Sequence, residues 1–156
     1  MMVKLVLEAV GSARRVADLF SGAGTFSLPL AATATVHAVE SDQPAIDALD
    51  AAARRAQGIR PITVEKRDLF RRPLMPADLK RFDAVVLDPP RAGAEDQAQQ
   101  LAASAVKRVV MVSCNLQTFA RDMRTLVDGG YYIDRITPID QFLYSPHIEI
   151  VASLSK

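Results

Sequence analysis

The chain has 156 residues, 49% of them apolar and 24% charged, with a net charge of +1. That is the length and make-up of one globular domain able to bury its own core. It excludes a bilayer-spanning run of ~20 apolar residues and a polyanion-binding surface spread over the whole molecule. The single cysteine, Cys114, rules out an internal disulfide and points to a reducing cytoplasm. Met1–Leu7 is too short and too soon interrupted to be a secretion signal.

Taken in chain order, apolar runs rich in β-branched residues alternate with Ala-rich stretches of helical period. The pattern predicts a strand over Arg15–Phe20 and a helix over Gly24–Ala32. A second strand follows over Thr35–Glu40, then a helix over Pro44–Gln57 with proline in its first turn and Gly58 as its stop. Ile62–Arg67 reads as a third strand. Arg71–Lys80 holds Pro73 and Pro76 and has room for one helical turn at most. The run Ala84-Val85-Val86-Leu87 within Asp83–Asp88 marks a strand covered on both faces. A helix over Ala94–Ser104, a buried strand over Arg108–Ser113 and a helix over Leu116–Val127 closed by Gly129-Gly130 come next. Tyr131–Ile139 and Ile148–Leu154 are the last two strands. The loop between them, Asp140–His147, cannot hold a crossover helix, so the pair is antiparallel and the last strand runs against the others. The alternation as a whole predicts a doubly wound α/β sheet in one domain, residues 1–156.

Open α/β sheets bind ligands beyond the carboxyl ends of their strands, and polar residues gather there in this chain. The first strand runs into Asp18-Leu19-Phe20-Ser21-Gly22-Ala23-Gly24-Thr25-Phe26. Gly22 and Gly24 permit a tight turn and close approach to a ligand. Glu40 ends the second strand, where a carboxylate can accept from ribose hydroxyls. Asp68 and Asp88 end the third and fourth. Four carboxylates around one mouth repel a pyrophosphate and suit a ligand carrying ammonium and sulfonium charges. Ser27 stands where a dinucleotide fingerprint would have its third glycine. The pattern therefore favours S-adenosyl-L-methionine over NAD.

At the chemical end, Asp88-Pro89-Pro90-Arg91-Ala92-Gly93 is a proline-stiffened loop after a buried strand. Cys114 lies at a strand end just before a helix N-terminus, where the helix dipole favours the thiolate. Taken alone, a free cysteine is more often an inert buried residue. Glu149 opens the inverted last strand, so it converges on the sheet edge that holds Cys114 and Asp88. Asn115 is expected to cap the following helix or line the pocket, His147 to orient the loop beside Glu149, and His37 to be structural. The cations Arg54, Arg55, Arg60, Lys66, Arg67, Arg71, Arg72, Lys80 and Arg81 form either a solvated face or a phosphate-contacting patch.

At Asp18–Phe26, Asp88–Gly93, Ser113-Cys114-Asn115, Arg121-Asp122 and Ser145-Pro146-His147-Ile148-Glu149, the sequence resembles the RNA (uracil-carbon-5) methyltransferases of transfer and ribosomal RNA. The resemblance covers almost the whole chain. It implies a Rossmann-like class I methyltransferase fold, a seven-stranded, mostly parallel sheet with an antiparallel last strand. It implies cofactor contacts at Phe20, Thr25, Glu40, Asp68 and Asp88, to which the turn glycines Gly22 and Gly24 are added, and Pro89, Arg91, Asn115 and His147 are the candidates for substrate contacts. Cys114 becomes the nucleophile and Glu149 the proton acceptor, expected to be a buried carboxyl with a raised pKa; no metal is expected. Phe142 and Tyr144 are further stacking candidates. RNA is the implied partner, ribosomal ahead of transfer RNA. Leu116 stands where the family usually has proline, which predicts altered loop rigidity. The family's upstream RNA-binding and central parts are not in these residues, so the isolated chain is expected to be weakly active or inactive. An RNA (cytosine-carbon-5) methyltransferase and a non-catalytic RNA-associated scaffold are the competing readings.

Overall fold

A computed structural model describes residues 1–139 and 148–156. The predicted Asp140–His147 loop, with Phe142, Tyr144 and His147, lies outside the described residues. The elements follow in order as α1 (Met2–Val10), β1 (Arg15–Leu19), α2 (Ser27–Leu30), β2 (Thr35–Glu40), α3 (Gln43–Arg55), β3 (Ile62–Lys66) and α4 (Pro76–Leu79). Then come β4 (Ala84–Leu87), α5 (Glu95–Ala102), β5 (Arg108–Ser113), α6 (Leu116–Asp128), β6 (Tyr132–Ile139) and β7 (Glu149–Ser155).

The strands form one seven-stranded sheet in the order β3-β2-β1-β4-β5-β7-β6. β1 pairs in parallel with β2 and β4, and β4 with β5. β7 is antiparallel to both β5 and β6, the inversion expected from the short final connection. All four residues of β4 are buried, as a central strand covered on both faces requires. One apolar layer gathers Val6, Val16, Phe26, Leu30, Val86 and Val110 beneath α1 and α2. The opposite layer gathers Leu19, Leu79, Leu87, Leu101, Met111 and Leu126 beneath α4, α5 and α6.

Most predicted elements stand within one or two residues of their expected bounds. The exception is the helix expected over Gly24–Ala32, which is helical only over Ser27–Leu30. Gly22 (φ 53°) and Gly24 (φ 95°) occupy the left-handed region, so the segment before Ser27 is a turn. The segment from Ala31 onward tightens into turns closed by Thr33 N–H donating to Leu30 O at 3.1 Å. α3 begins as predicted, its Asp42 cap accepting from Ala45 N–H at 3.1 Å, with Pro44 in the first turn.

Candidate functional site

The direction of strand order reverses between β1 and β4, and the loops after these two strands flank the crevice where such sheets take their ligands. On the β1 side, Phe20 leaves the strand at φ 61°, a conformation that costs a bulky side chain on the order of 1–3 kcal/mol. Its flanks hold it there. Leu19 O accepts from Asp88 N–H at 3.2 Å, and Ser21 N–H donates to Val39 O at 3.1 Å. The Phe20 ring packs on the core and lies 5.4 Å from the ring of Phe70.

The glycines that follow serve different ends. A side chain on Gly24 would put its Cβ 2.4 Å from Leu49 Cδ1, so this glycine lets the loop pack on α3. Gly22 has nothing within 4 Å of that position and presents bare backbone to open space. Its N–H donates to Glu40 Oε2 at 2.8 Å, while Oε1 of the same carboxylate accepts from Ser41 N–H at 2.7 Å and Asp42 N–H at 3.0 Å. Glu40 is thus fixed at the end of β2, with lone-pair capacity left for a ligand hydroxyl.

Asp18 departs from the expectation of a carboxylate facing the mouth. It is fully buried within β1, where Oδ2 accepts from Ser27 Oγ at 2.5 Å. Burial, with the nearby charges of Asp88 and Glu40, raises its pKa to about 7. Its Oδ1 and the Ser21 hydroxyl are buried without partners among the described residues. Asp68 sits past β3, its Oδ1 accepting from Phe70 N–H at 3.0 Å. That turn sets Phe70 beside Phe20, a half-exposed ring that sequence reasoning passed over. The signal was an aspartate two residues before an exposed aromatic. Thr25 is exposed on the loop.

Across the crevice, Asp88 follows β4, and burial with the charge of Glu149 raises its pKa to about 6. Ser113 pairs with Ile150 at the end of the β5–β7 ladder. Cys114 and Glu149 are each one residue beyond that pair, so adjacent strands deliver both to the edge that carries Asp88. Glu149 is half-buried rather than buried. Cys114 is half-buried. The hydroxyl of Ser113 accepts from Asn115 N–H at 3.1 Å and bends the chain around the cysteine.

Asn115 proves to be the α6 cap. Its Oδ1 accepts from Gln117 N–H at 3.0 Å and its Nδ2 donates to Arg91 O at 3.0 Å, so both ends of the amide are engaged within the chain. Pro89 is buried and Arg91 exposed. His37 is structural as expected, its ring nitrogens 2.9 Å from Thr63 Oγ1 and 2.8 Å from Glu65 Oε2. The basic stretch is partly neutralised: Arg67 pairs with Glu65 at 3.2 Å, and Arg71 lies 3.6 Å from Asp68.

The cradle fits a cationic nucleoside. It has exposed backbone at Gly22, an anchored acid at Glu40, aromatic rings at Phe20 and Phe70, and carboxyls on both walls. The fold is that of the class I S-adenosyl-L-methionine-dependent methyltransferases. The family described as tRNA (uracil-5-)-methyltransferase matches residues 1–156, and the chain belongs to it.

An uncharacterised RNA methyltransferase of Rhizobium meliloti is 62% identical over 99% of the chain, and another of Agrobacterium fabrum is 59% identical over 99%. The chain spans 37% of the length of each. The 23S rRNA (uracil(1939)-C(5))-methyltransferase of Vibrio vulnificus is 37% identical over 93% of the chain and 33% of its own length. Among solved structures, the Pyrococcus abyssi tRNA (uracil-54, C5)-methyltransferase with S-adenosyl-L-homocysteine superposes with a TM-score of 0.83 at 34% identity. It covers 98% of this chain and 37% of its own. The Synechocystis magnesium protoporphyrin IX methyltransferase, at 21% identity and a TM-score of 0.74, shares the fold, with 99% of this chain and 76% of its own covered.

Proposed function

We propose that the chain is the catalytic portion of an enzyme that methylates carbon 5 of a uridine in RNA through a covalent bond to Cys114, with Glu149 as the base. The observation that carries the reading is the β5–β7 pairing, which supports a meeting of thiol and carboxyl at one sheet edge.

S-adenosyl-L-methionine, when bound, supplies an electrophilic methyl carbon. Phe20, Gly22, Thr25, Glu40, Asp68 and Asp88 are the residues that would hold it. Carbon 5 of uracil is a weak nucleophile. Addition of the Cys114 thiolate to carbon 6 forms a C–S bond and moves the ring electrons into an enolate, so that carbon 5 can take the methyl. Glu149 then accepts the carbon-5 proton, the ring double bond re-forms, and the C–S bond breaks to return the thiolate. The turn at Ser113–Asn115 sets the sulfur directly before the start of α6. Pro89 and Arg91 lie on the loop that would flank the base, with Asn115 supporting that loop and His147 next to Ile148 and Glu149 in sequence. A base inside a duplex is out of reach, so the target uridine is unpaired or flipped.

The test is nucleoside analysis of RNA incubated with methyl-labelled cofactor, with ribosomal RNA tried first and transfer RNA as the second arm. The relatives split between the two by name, which is why both are needed. A preparation that also carries the relatives' remaining segments is expected to yield 5-methyluridine. The 156 residues alone are expected to yield little or none, since they span 37% of those relatives. Methyl groups on cytidine would contradict the reading, and robust turnover by the short chain would overturn the expectation that it is weakly active.

A further inference from the structure

Helix α6 begins beside Cys114, and its side chains grip the backbone of the 91–94 loop that follows β4. Asn115 Nδ2 and Thr118 Oγ1 both donate to Arg91 O, at 3.0 Å and 3.1 Å. Arg121 Nη2 donates to Ala92 O at 3.1 Å, and Asp122 Oδ2 accepts from Ala94 N–H at 2.7 Å. The spacing of Asn115, Thr118 and Asp122 puts them on one helical face, and Arg121 reaches in from beside it.

Asp122 is 1% exposed. A carboxylate so placed is strongly destabilising unless fully paired. Here Oδ1 takes Arg121 Nε at 2.9 Å while Oδ2 takes the loop, and Arg121 also reaches Glu95 at 3.3 Å. The loop is shaped to be gripped. Gly93 sits at φ 77°, and a Cβ there would lie 2.6 Å from Arg121 Nη2, 2.7 Å from Asp122 Oδ2 and 2.8 Å from Thr118 Cβ. These contacts are directional and polar, so they fix orientation as well as adhesion.

We infer that Asp122, with Arg121 and Thr118, is a positioning device that holds the Asp88–Gly93 loop at one distance from Cys114, an inference that rests on the reading of Cys114 as nucleophile. The loop and the sulfur follow the neighbouring strands β4 and β5. These side chains, the β4–β5 ladder and the packing of α5 on α6 set their separation. A displacement of ~1 Å at such a site lowers the rate by up to about a hundredfold.

The experiment compares wild type with Asp122→Asn and Thr118→Val, in a preparation carrying the relatives' remaining segments. Asp122→Asn keeps the shape but turns an amide against the Arg121 guanidinium; Thr118→Val removes one loop contact with little change of volume. The expected result is a ten- to hundredfold fall in kcat for Asp122→Asn and a severalfold fall for Thr118→Val, with cofactor affinity by calorimetry within about threefold of wild type. Unchanged kcat in a folded Asp122→Asn overturns the inference. So does a parallel loss of kcat, cofactor affinity and thermal midpoint while Thr118→Val is silent, because that marks a merely structural role. If Asp122→Asn does not fold, Thr118→Val decides alone.

Cys114 is the only cysteine of these 156 residues, so alkylation of the 156-residue chain by iodoacetamide reads its surroundings directly. Should wild type form no methylated product, the function proposed above fails on its own account. An alkylation rate altered severalfold by Asp122→Asn would then still support the positioning role, and an unaltered rate would overturn it.

Discussion

At the scale of single residues, the buried carboxyls have the sharpest consequences. Asp18 is fully buried with a pKa near 7, against an ordinary value of 3.8. A carboxyl raised in the folded state leaves stability intact at low pH. Stability is then lost as pH rises from about 4 to about 7, because the unfolded chain gives up the proton first. The loss is on the order of 4 kcal/mol for a shift of this size. Asp18→Asn is therefore expected to match wild type in urea unfolding near pH 4, to exceed it at pH 8, and to flatten the curve between. Parallel curves for the two proteins would refute this. The sequence did not show which way Asp18 points. An acid near a strand end can face ligand or core, and only the approach of Ser27, nine residues on, decides it here. Phe70, and the role of Asp122 within the Arg121-Asp122 pair, escaped for the same kind of reason, since both consist of contacts made across the fold.

At the scale of elements, local rules served where the chain's own neighbours decide the outcome. The α3 start with Pro44 in its first turn and the Gly129 close of α6 are of this kind. They failed at α2, where two left-handed glycines outweigh an apolar helical pattern. The start of α6 tests the expectation about Leu116. This residue is the first of the helix and 60% exposed, and Asn115 before it is extended at φ −132°, ψ 110°. Proline needs an extended predecessor and a first-turn position without a required N–H. Both conditions hold with leucine in place, so the helix start needs no proline to form. Leu116→Pro is expected to stabilise the chain by about 0.4–1 kcal/mol through the unfolded state. Chemical denaturation measures it, and a loss of stability would show that the backbone at Leu116 differs from the one described.

At the scale of the molecule, the inverted last strand was legible because a short connection forbids a parallel crossover. Its insertion between β5 and β6 was not, since strand order depends on long-range pairing. That insertion matters to the chemistry. It makes β7 the immediate neighbour of β5, and the register from Arg108–Ser155 to Ser113–Ile150 runs straight to Cys114 and Glu149. With β6 in that place, Glu149 would start one strand farther from the sulfur. The same inversion brings the charge of Glu149 to bear on Asp88, whose pKa is raised first by burial and then by that charge.

The most direct test of the central claim is to trap the bond between protein and base. RNA containing 5-fluorouridine has no removable proton at carbon 5, so a ring that has accepted the methyl cannot release the sulfur. With cofactor present, and with the relatives' remaining segments attached, the account predicts a stable protein–RNA adduct whose mass places the linkage on Cys114 and which Cys114→Ala abolishes. An adduct at another residue, or methylation of ordinary uridine RNA by Cys114→Ala at the wild-type rate, would contradict it.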